Sequence, residues 1–146
     1  MAVFDRSVTT DWEGGLMDGS GVAKAGTGAF SLPVTFANRI GEPAGKTSPE
    51  ELMAAAHAAC FAMALNGALG RKGAKAQKTH VTATVSADKT DAGLKIVSSK
   101  IKVLVEGLEG MTPADFSTFV KEADKGCPVS NAYRGTMQIE VEGSAK

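Results

Sequence analysis

Cysteine is scarce in this chain. Only Cys60 and Cys127 occur in 146 residues. Two cysteines cannot build a disulfide-rich scaffold, and in a cytosolic chain such a pair is more often catalytic, metal-binding or redox-active than structural. Histidine is equally sparse, and no C-x-x-C spacing occurs. His80 alternates with valines and threonines on a strand pattern, so His57 and Cys60 could supply two metal ligands at most, too few for a metal site. Net charge is lacking too: 16 Lys+Arg balance 16 Asp+Glu. Bulk electrostatics therefore give no reason to expect nucleic acid or an anionic membrane as partner. The opening "MAVFDRSVTT" has no charged-then-apolar leader pattern. The apolar run Leu52–Leu65 falls short of the ~20 residues of a membrane span. Aromatic content is only 5%, and no low-complexity tract, repeat or linker is visible. The expectation is one soluble, cytoplasmic domain over residues 1–146, long enough to bury a core.

What is present begins with a Gly- and Thr-rich stretch whose candidate strands lie near Val3–Trp12, Gly21–Lys24 and Ala29–Phe36. Residues Ala37–Lys46 read as a connecting loop. A helix over residues 49–70 is signalled several times. Ser48 is a good N-cap, Pro49 suits the first helical position, Glu51 completes a capping box, and Gly70 is a stop. Residues Lys78–Lys89 alternate, with Val81, Ala83, Val85 and Ala87 on one face. "KTDAGLK" connects them to a second strand at Leu94–Glu106, making an antiparallel hairpin. A second helix is expected at Pro113–Lys125, a further helical turn from Pro128, and a last strand near Thr136–Glu142. The fold class is α+β with mainly antiparallel sheet. The middle of the long helix, "AAAHAACFAMAL", is apolar on every side. Either sheet must wrap it or a second chain must cover it.

Cys60 and His57 sit inside that helix, three residues apart. Free cysteine is usually a small buried hydrophobe, and the helix alone favours that reading. A Cys60–His57 nucleophile–base pair shares a helix face. It would also need a cleft and an oxyanion hole, of which so apolar a helix gives little sign. We expect His57 to be a packed histidine with one polar contact. Cys127 lies between Gly126 and Pro128, at a helix start that favours thiolate, and there the structural and chemical readings are evenly matched.

"TSPEELMAAAHAACFAMAL" followed by "KGCPVSNA", with "DWEGG" near the start and "ADKTDAGLKI" in the hairpin, resembles the family of osmotically inducible protein C (OsmC) and organic hydroperoxide resistance (Ohr) proteins. The form "AHAACF", and Arg39 within "FANRIG", resemble the OsmC branch. The resemblance implies an intertwined homodimer with antiparallel sheets wrapped around long central helices. It also implies a thiol-dependent peroxidase acting on organic hydroperoxides, with hydrogen peroxide a further substrate in some members. Cys60 then resembles the peroxidatic cysteine, Cys127 the resolving cysteine, Arg39 the catalytic arginine, and Glu50 of "PEEL" the glutamate that orients it. No cofactor or metal is implied. The reductant is an external dithiol, a lipoyl protein by family precedent.

These roles make chemical sense. An apolar site raises a thiol's pKa, and a fixed guanidinium offsets this while donating to peroxide oxygens. Glu50 would hold that guanidinium by a bidentate pair. Ten residues of regular helix, however, separate Glu50 from Cys60 by about 15 Å. Arg39 must span them, the helix must be irregular, or a dimer mate must complete the site, and we favour the last. Two other functions stay open: an OsmC-fold protein that binds an apolar small molecule, and a general dithiol–disulfide oxidoreductase. The presence of Arg39 and Glu50 beside both cysteines argues against the first. The absence of C-x-x-C argues against the second.

Overall fold

The computed structural model describes residues 1–146, in two compact units, Met1–Leu52 and Met53–Lys146. Strands β1 (Val8–Glu13), β2 (Ser20–Ala25) and β3 (Ser31–Val34) form an antiparallel sheet in the order β1-β2-β3 within the first unit. Its register puts Trp12 opposite Gly21. A Cβ at Gly21 would stand 2.7 Å from the Trp12 ring, so the glycine is what admits the indole. All three expected strands exist: β1 starts later than expected, β2 is one residue longer at each end, and β3 is shorter at each end.

The expected loop Ala37–Lys46 is instead opened by a short helix, α1 (Phe36–Ile40). Thr35 caps it, its hydroxyl accepting from the Asn38 N–H at 3.1 Å. Arg39 therefore sits on a helical turn. The long helix α2 (Pro49–Arg71) begins in the first unit as expected, with the Ser48 hydroxyl accepting from the Glu51 N–H at 3.1 Å. Glu51 does not close the capping box. Its carboxylate accepts from the Thr47 hydroxyl at 2.8 Å instead.

In the second unit, α2 buries a stripe at four-residue spacing: His57, Phe61, Leu65 and Leu69. This stripe meets a sheet of β4 (Lys78–Thr90), β5 (Gly93–Glu106) and β6 (Gln138–Ala145), ordered β4-β5-β6. The β4–β5 hairpin is antiparallel as expected, but β6 runs parallel to β5, so this sheet is mixed. The chain crosses over to reach that position through α3 (Pro113–Ala123), a 3-10 turn (Asp124–Gly126) and α4 (Pro128–Tyr133). The core face of the sheet carries Ile101, Val103 and Val105, with Phe116 and Val120 of α3 packed on the same cluster. By length and composition α2 could cross a membrane, since the helix is 23 residues long and extends past the short run Leu52–Leu65. The core stripe is the feature that marks it as a helix packed on sheet.

Candidate active site

Two groups of side chains stand out, one in each unit. In the first, α1 presents Arg39 to Glu50 in the first turn of α2. Arg39 Nε donates to both carboxylate oxygens, at 3.2 and 3.1 Å, and Nη2 donates to Oε1 at 2.6 Å. This is the bidentate pair expected from the sequence. The hydrogen bonds to Arg39 hold the Glu50 carboxyl below its ordinary range, against the opposing effect of burial. The same bonds raise the already high pKa of Arg39, so the guanidinium is a permanent cation. Glu50 takes Nε and one edge of Nη2, and Nη1 makes no hydrogen bond within the chain.

In the second unit, α2 presents Cys60, half-buried, against Cys127, which is fully buried at the cap of α4. Both thiols are free. Burial pushes the Cys60 thiol up, and the neighbouring Cys127 pushes the same way. The backbone amide of Val129 acts in the opposite sense. The next amide, Ser130 N–H, donates to the Cys127 sulfur at 3.4 Å.

His57 lies beside this pair with no exposed surface. Its Nδ1 meets the Ser99 hydroxyl of β5 and its Nε2 the Ser130 hydroxyl of α4, each at 2.6 Å. The expected single polar contact is therefore two. Both ring nitrogens are occupied, so neither is left to serve Cys60 as a base. Tyr133 packs edge-on to the imidazole at 5.3 Å and donates its hydroxyl to the Met53 carbonyl at 3.0 Å. Arg134 bonds Asp124 Oδ2 at 2.7 Å, while Asp124 Oδ1 is buried without a partner. No three His, Cys, Asp or Glu side chains converge as a metal site would require.

Of the residues singled out from the sequence, the structure bonds Arg39 to Glu50 and packs Cys60 on the cluster that holds Cys127, while Ser99, Ser130 and Tyr133 around His57 had no reading from the sequence. The signal for His57 was its place on the stripe with Phe61, Leu65 and Leu69. A ring buried on that face must find polar partners. The signal for Ser130 was its position three residues after a helix cap. Nothing local marked Ser99.

Two free thiols, one half-buried and one buried, are the equipment of cysteine-based redox proteins. The sequence model described as "OsmC-like protein" matches residues 41–142. The chain is 37% identical over 134 residues to Peroxiredoxin OsmC of Escherichia coli, covering 90% of this chain and 91% of that protein. It is 37% identical over 98 residues to organic hydroperoxide resistance protein OhrA of Bacillus subtilis, covering 66% of each. Its fold is similar to the crystal structure of an organic hydroperoxide resistance protein OsmC from Legionella pneumophila, with TM-score 0.77, 25% identity and 99% of both chains covered. The chain belongs to the OsmC-like protein family.

Proposed function

We propose that this protein is a thiol-dependent peroxidase that reduces organic hydroperoxides to alcohols. The observation that carries the reading is the pair of free thiols, with Cys127 buried in the core cluster and Cys60 packed against that same cluster. A half-buried thiol can meet a substrate, and a fully buried neighbour can wait for the product of that meeting. The relatives named for organic hydroperoxide resistance support the substrate class.

The Cys60 thiolate attacks the distal oxygen of the hydroperoxide. The O–O bond breaks, Cys60 becomes a sulfenic acid, and the departing alkoxide takes a proton to leave as alcohol. Cys127 then attacks the Cys60 sulfur, its thiol proton leaves with the hydroxyl as water, and a disulfide forms. An external dithiol exchanges with that disulfide, regenerating both thiols as it becomes a disulfide itself. A lipoyl group has this chemistry. The chain's own residues carry the redox change, so the reaction asks for no bound cofactor.

The thiolate needs a cation, because desolvation alone favours the thiol. Arg39 is that cation in this reading, held in a fixed pose by Glu50 with Nη1 open to substrate. Ten positions of helical sequence separate Glu50 from Cys60. Arg39 and Glu50 from a second copy completing the site of the first fits that spacing. A homodimer is supported independently. Every residue of β1 is exposed, and Phe4, Leu16, Met17 and Met63 are each more than 60% exposed, an apolar surface that a single chain does not cover. Residues 1–146 act as one OsmC-like domain in this dimer, in the cytoplasm, with the hydroperoxide and a dithiol as small-molecule partners and neither nucleic acid nor membrane required.

The test is a steady-state peroxidase assay with cumene hydroperoxide, tert-butyl hydroperoxide and hydrogen peroxide, using dihydrolipoamide or dithiothreitol as reductant. Turnover that favours the two organic peroxides is expected. No turnover with any of the three would leave a binding protein or a general oxidoreductase in its place.

A further inference from the structure

His57 contributes nothing to the chemistry above, yet it is fully buried and fully hydrogen-bonded. Its position relative to the thiols is specific. His57 lies three residues before Cys60 on α2, and Ser130 lies three residues after Cys127 at the start of α4. The two helices are thus hydrogen-bonded by two side chains, the His57–Ser130 bond one turn from each cysteine and the Tyr133 hydroxyl on the Met53 carbonyl at the far end of α4. The second nitrogen of the ring ties the same link to Ser99 on β5, in the centre of the sheet. The far end of the Cys127 segment has its own tie, Arg134 to Asp124. The near end has the Cys127 N–H on the Asp124 carbonyl at 3.1 Å, with His57 as its one side-chain tie to α2 and the sheet.

We propose that His57 is a positioning residue for disulfide formation, clamping the Cys127–Ser130 turn through Ser130 so that the Cys127 sulfur stays in reach of Cys60 after Cys60 has been oxidised. The inference rests on the peroxidase reading. Its physical basis is the narrow geometry of a disulfide, whose Cα atoms must lie roughly 4.4–6.8 Å apart with a fixed torsion. Cys60 gains an oxygen in the first step, and a turn free to recede would accommodate that oxygen by moving Cys127 away. A ring held from both sides resists this. Holding the two sulfurs together also makes their condensation effectively unimolecular. Cys60 itself is on the same helix as His57 and is held by that helix, so its own oxidation does not depend on the clamp to the same extent.

The experiment separates the two steps. Reduced protein is mixed with one equivalent of cumene hydroperoxide. Loss of peroxide reports Cys60 oxidation, and dimedone trapping followed by mass spectrometry reports how long the sulfenic acid survives before the disulfide forms. Wild type, Ser130→Ala, Ser99→Ala and His57→Asn are compared, with Ser130→Thr as the variant that keeps the hydroxyl. We expect Ser130→Ala to slow disulfide formation at least tenfold while peroxide loss changes less than threefold, and Ser99→Ala to do the same more weakly. Excess peroxide should then drive these variants, not wild type, to Cys60 sulfinic acid, and Ser130→Thr should restore closure. A merely structural role would lower the melting temperature without lengthening the life of the sulfenic acid. If Ser130→Ala closes at the wild-type rate, or slows both steps equally, the inference is overturned, even where His57→Asn fails to fold. If wild type itself forms neither sulfenic acid nor disulfide, the peroxidase reading falls first and takes this one with it.

Discussion

Arg39 and Glu50 are joined by three hydrogen bonds, the shortest 2.6 Å from Nη2 to Oε1, across a loop that separates them by eleven positions. The pair fixes a planar cation whose Nη1 makes no hydrogen bond within the chain. If that nitrogen meets thiolate and peroxide, Arg39→Ala should slow Cys60 oxidation on the order of a hundredfold or more, the usual consequence of removing one such donor. Arg39→Lys keeps the charge without the fork and should fall between Ala and wild type. Both should fold. Stopped-flow oxidation by an organic hydroperoxide without reductant measures the effect, and an Arg39→Ala protein as fast as wild type would remove Arg39 from the site.

The two cysteines have separable roles. Cys60→Ser should lose peroxide reduction altogether. Cys127→Ser should consume about one peroxide per site and stall as the sulfenic acid. The reverse pattern, with turnover surviving Cys60→Ser, would exchange the roles assigned from their exposures.

The residues that carry strong local signals were legible before the structure. Ser48, Pro49 and Thr112 announce helix starts by side-chain chemistry that acts within three residues, and the observed caps are at those residues. The β4–β5 hairpin follows from alternation. The four site residues came from motif resemblance, and the Arg39–Glu50 bond then agreed with it. What escaped was set by distance along the chain. The parallel pairing of β6 with β5 depends on the crossover through α3, which no local pattern encodes. Ser99 meets His57 across 42 positions and Ser130 across 73, so a serine on a strand and a serine on a turn looked like ordinary polar residues. The helix α1 was hidden because Ala37–Lys46 is rich in Gly and Pro at its far end, whereas the Thr35 cap acts only on its near end.

Gly143 offers a test of how α3 seats on the sheet. A Cβ there would stand 2.8 Å from Val120 Cγ1 and 3.2 Å from Val120 Cβ, so the helix would have to shift. Gly143→Ala should cost about 1–3 kcal/mol through overpacking. Urea unfolding measures it, and Val120→Ala in the same chain should recover part of the loss by making room. An unchanged midpoint in the single variant would mean that α3 yields freely.

Assembly is open to direct measurement. The exposed Val8 and Trp12 on β1, with Met63 on α2, predict a dimer whose folding is inseparable from association. Sedimentation at micromolar concentration should show two chains, and Met63→Lys should weaken the pairing. A folded, active monomer would rule out a site completed by a second copy.

The last prediction concerns pH. Burial holds the His57 imidazole below its ordinary value of 6.5, with Asp124 acting against that and Arg134 with it. Between the folded and unfolded values, the unfolded chain binds a proton that the folded chain refuses. Unfolding is therefore favoured increasingly as pH falls through that window. The contribution of the neutral ring is fully present above 6.5 and declines as pH drops from there towards the folded value. The refusal comes from burial: a charged ring with no exposed surface loses its hydration, and two neutral hydroxyls do not replace it. Urea midpoints of the reduced protein should accordingly fall between pH 7.5 and 5.5. His57→Asn, less stable at pH 7.5, should show a flatter profile over the same range. The difference between the two profiles isolates His57 from the carboxylates, which titrate lower. Parallel profiles would mean that the buried ring takes its proton as readily in the folded chain as in the unfolded one.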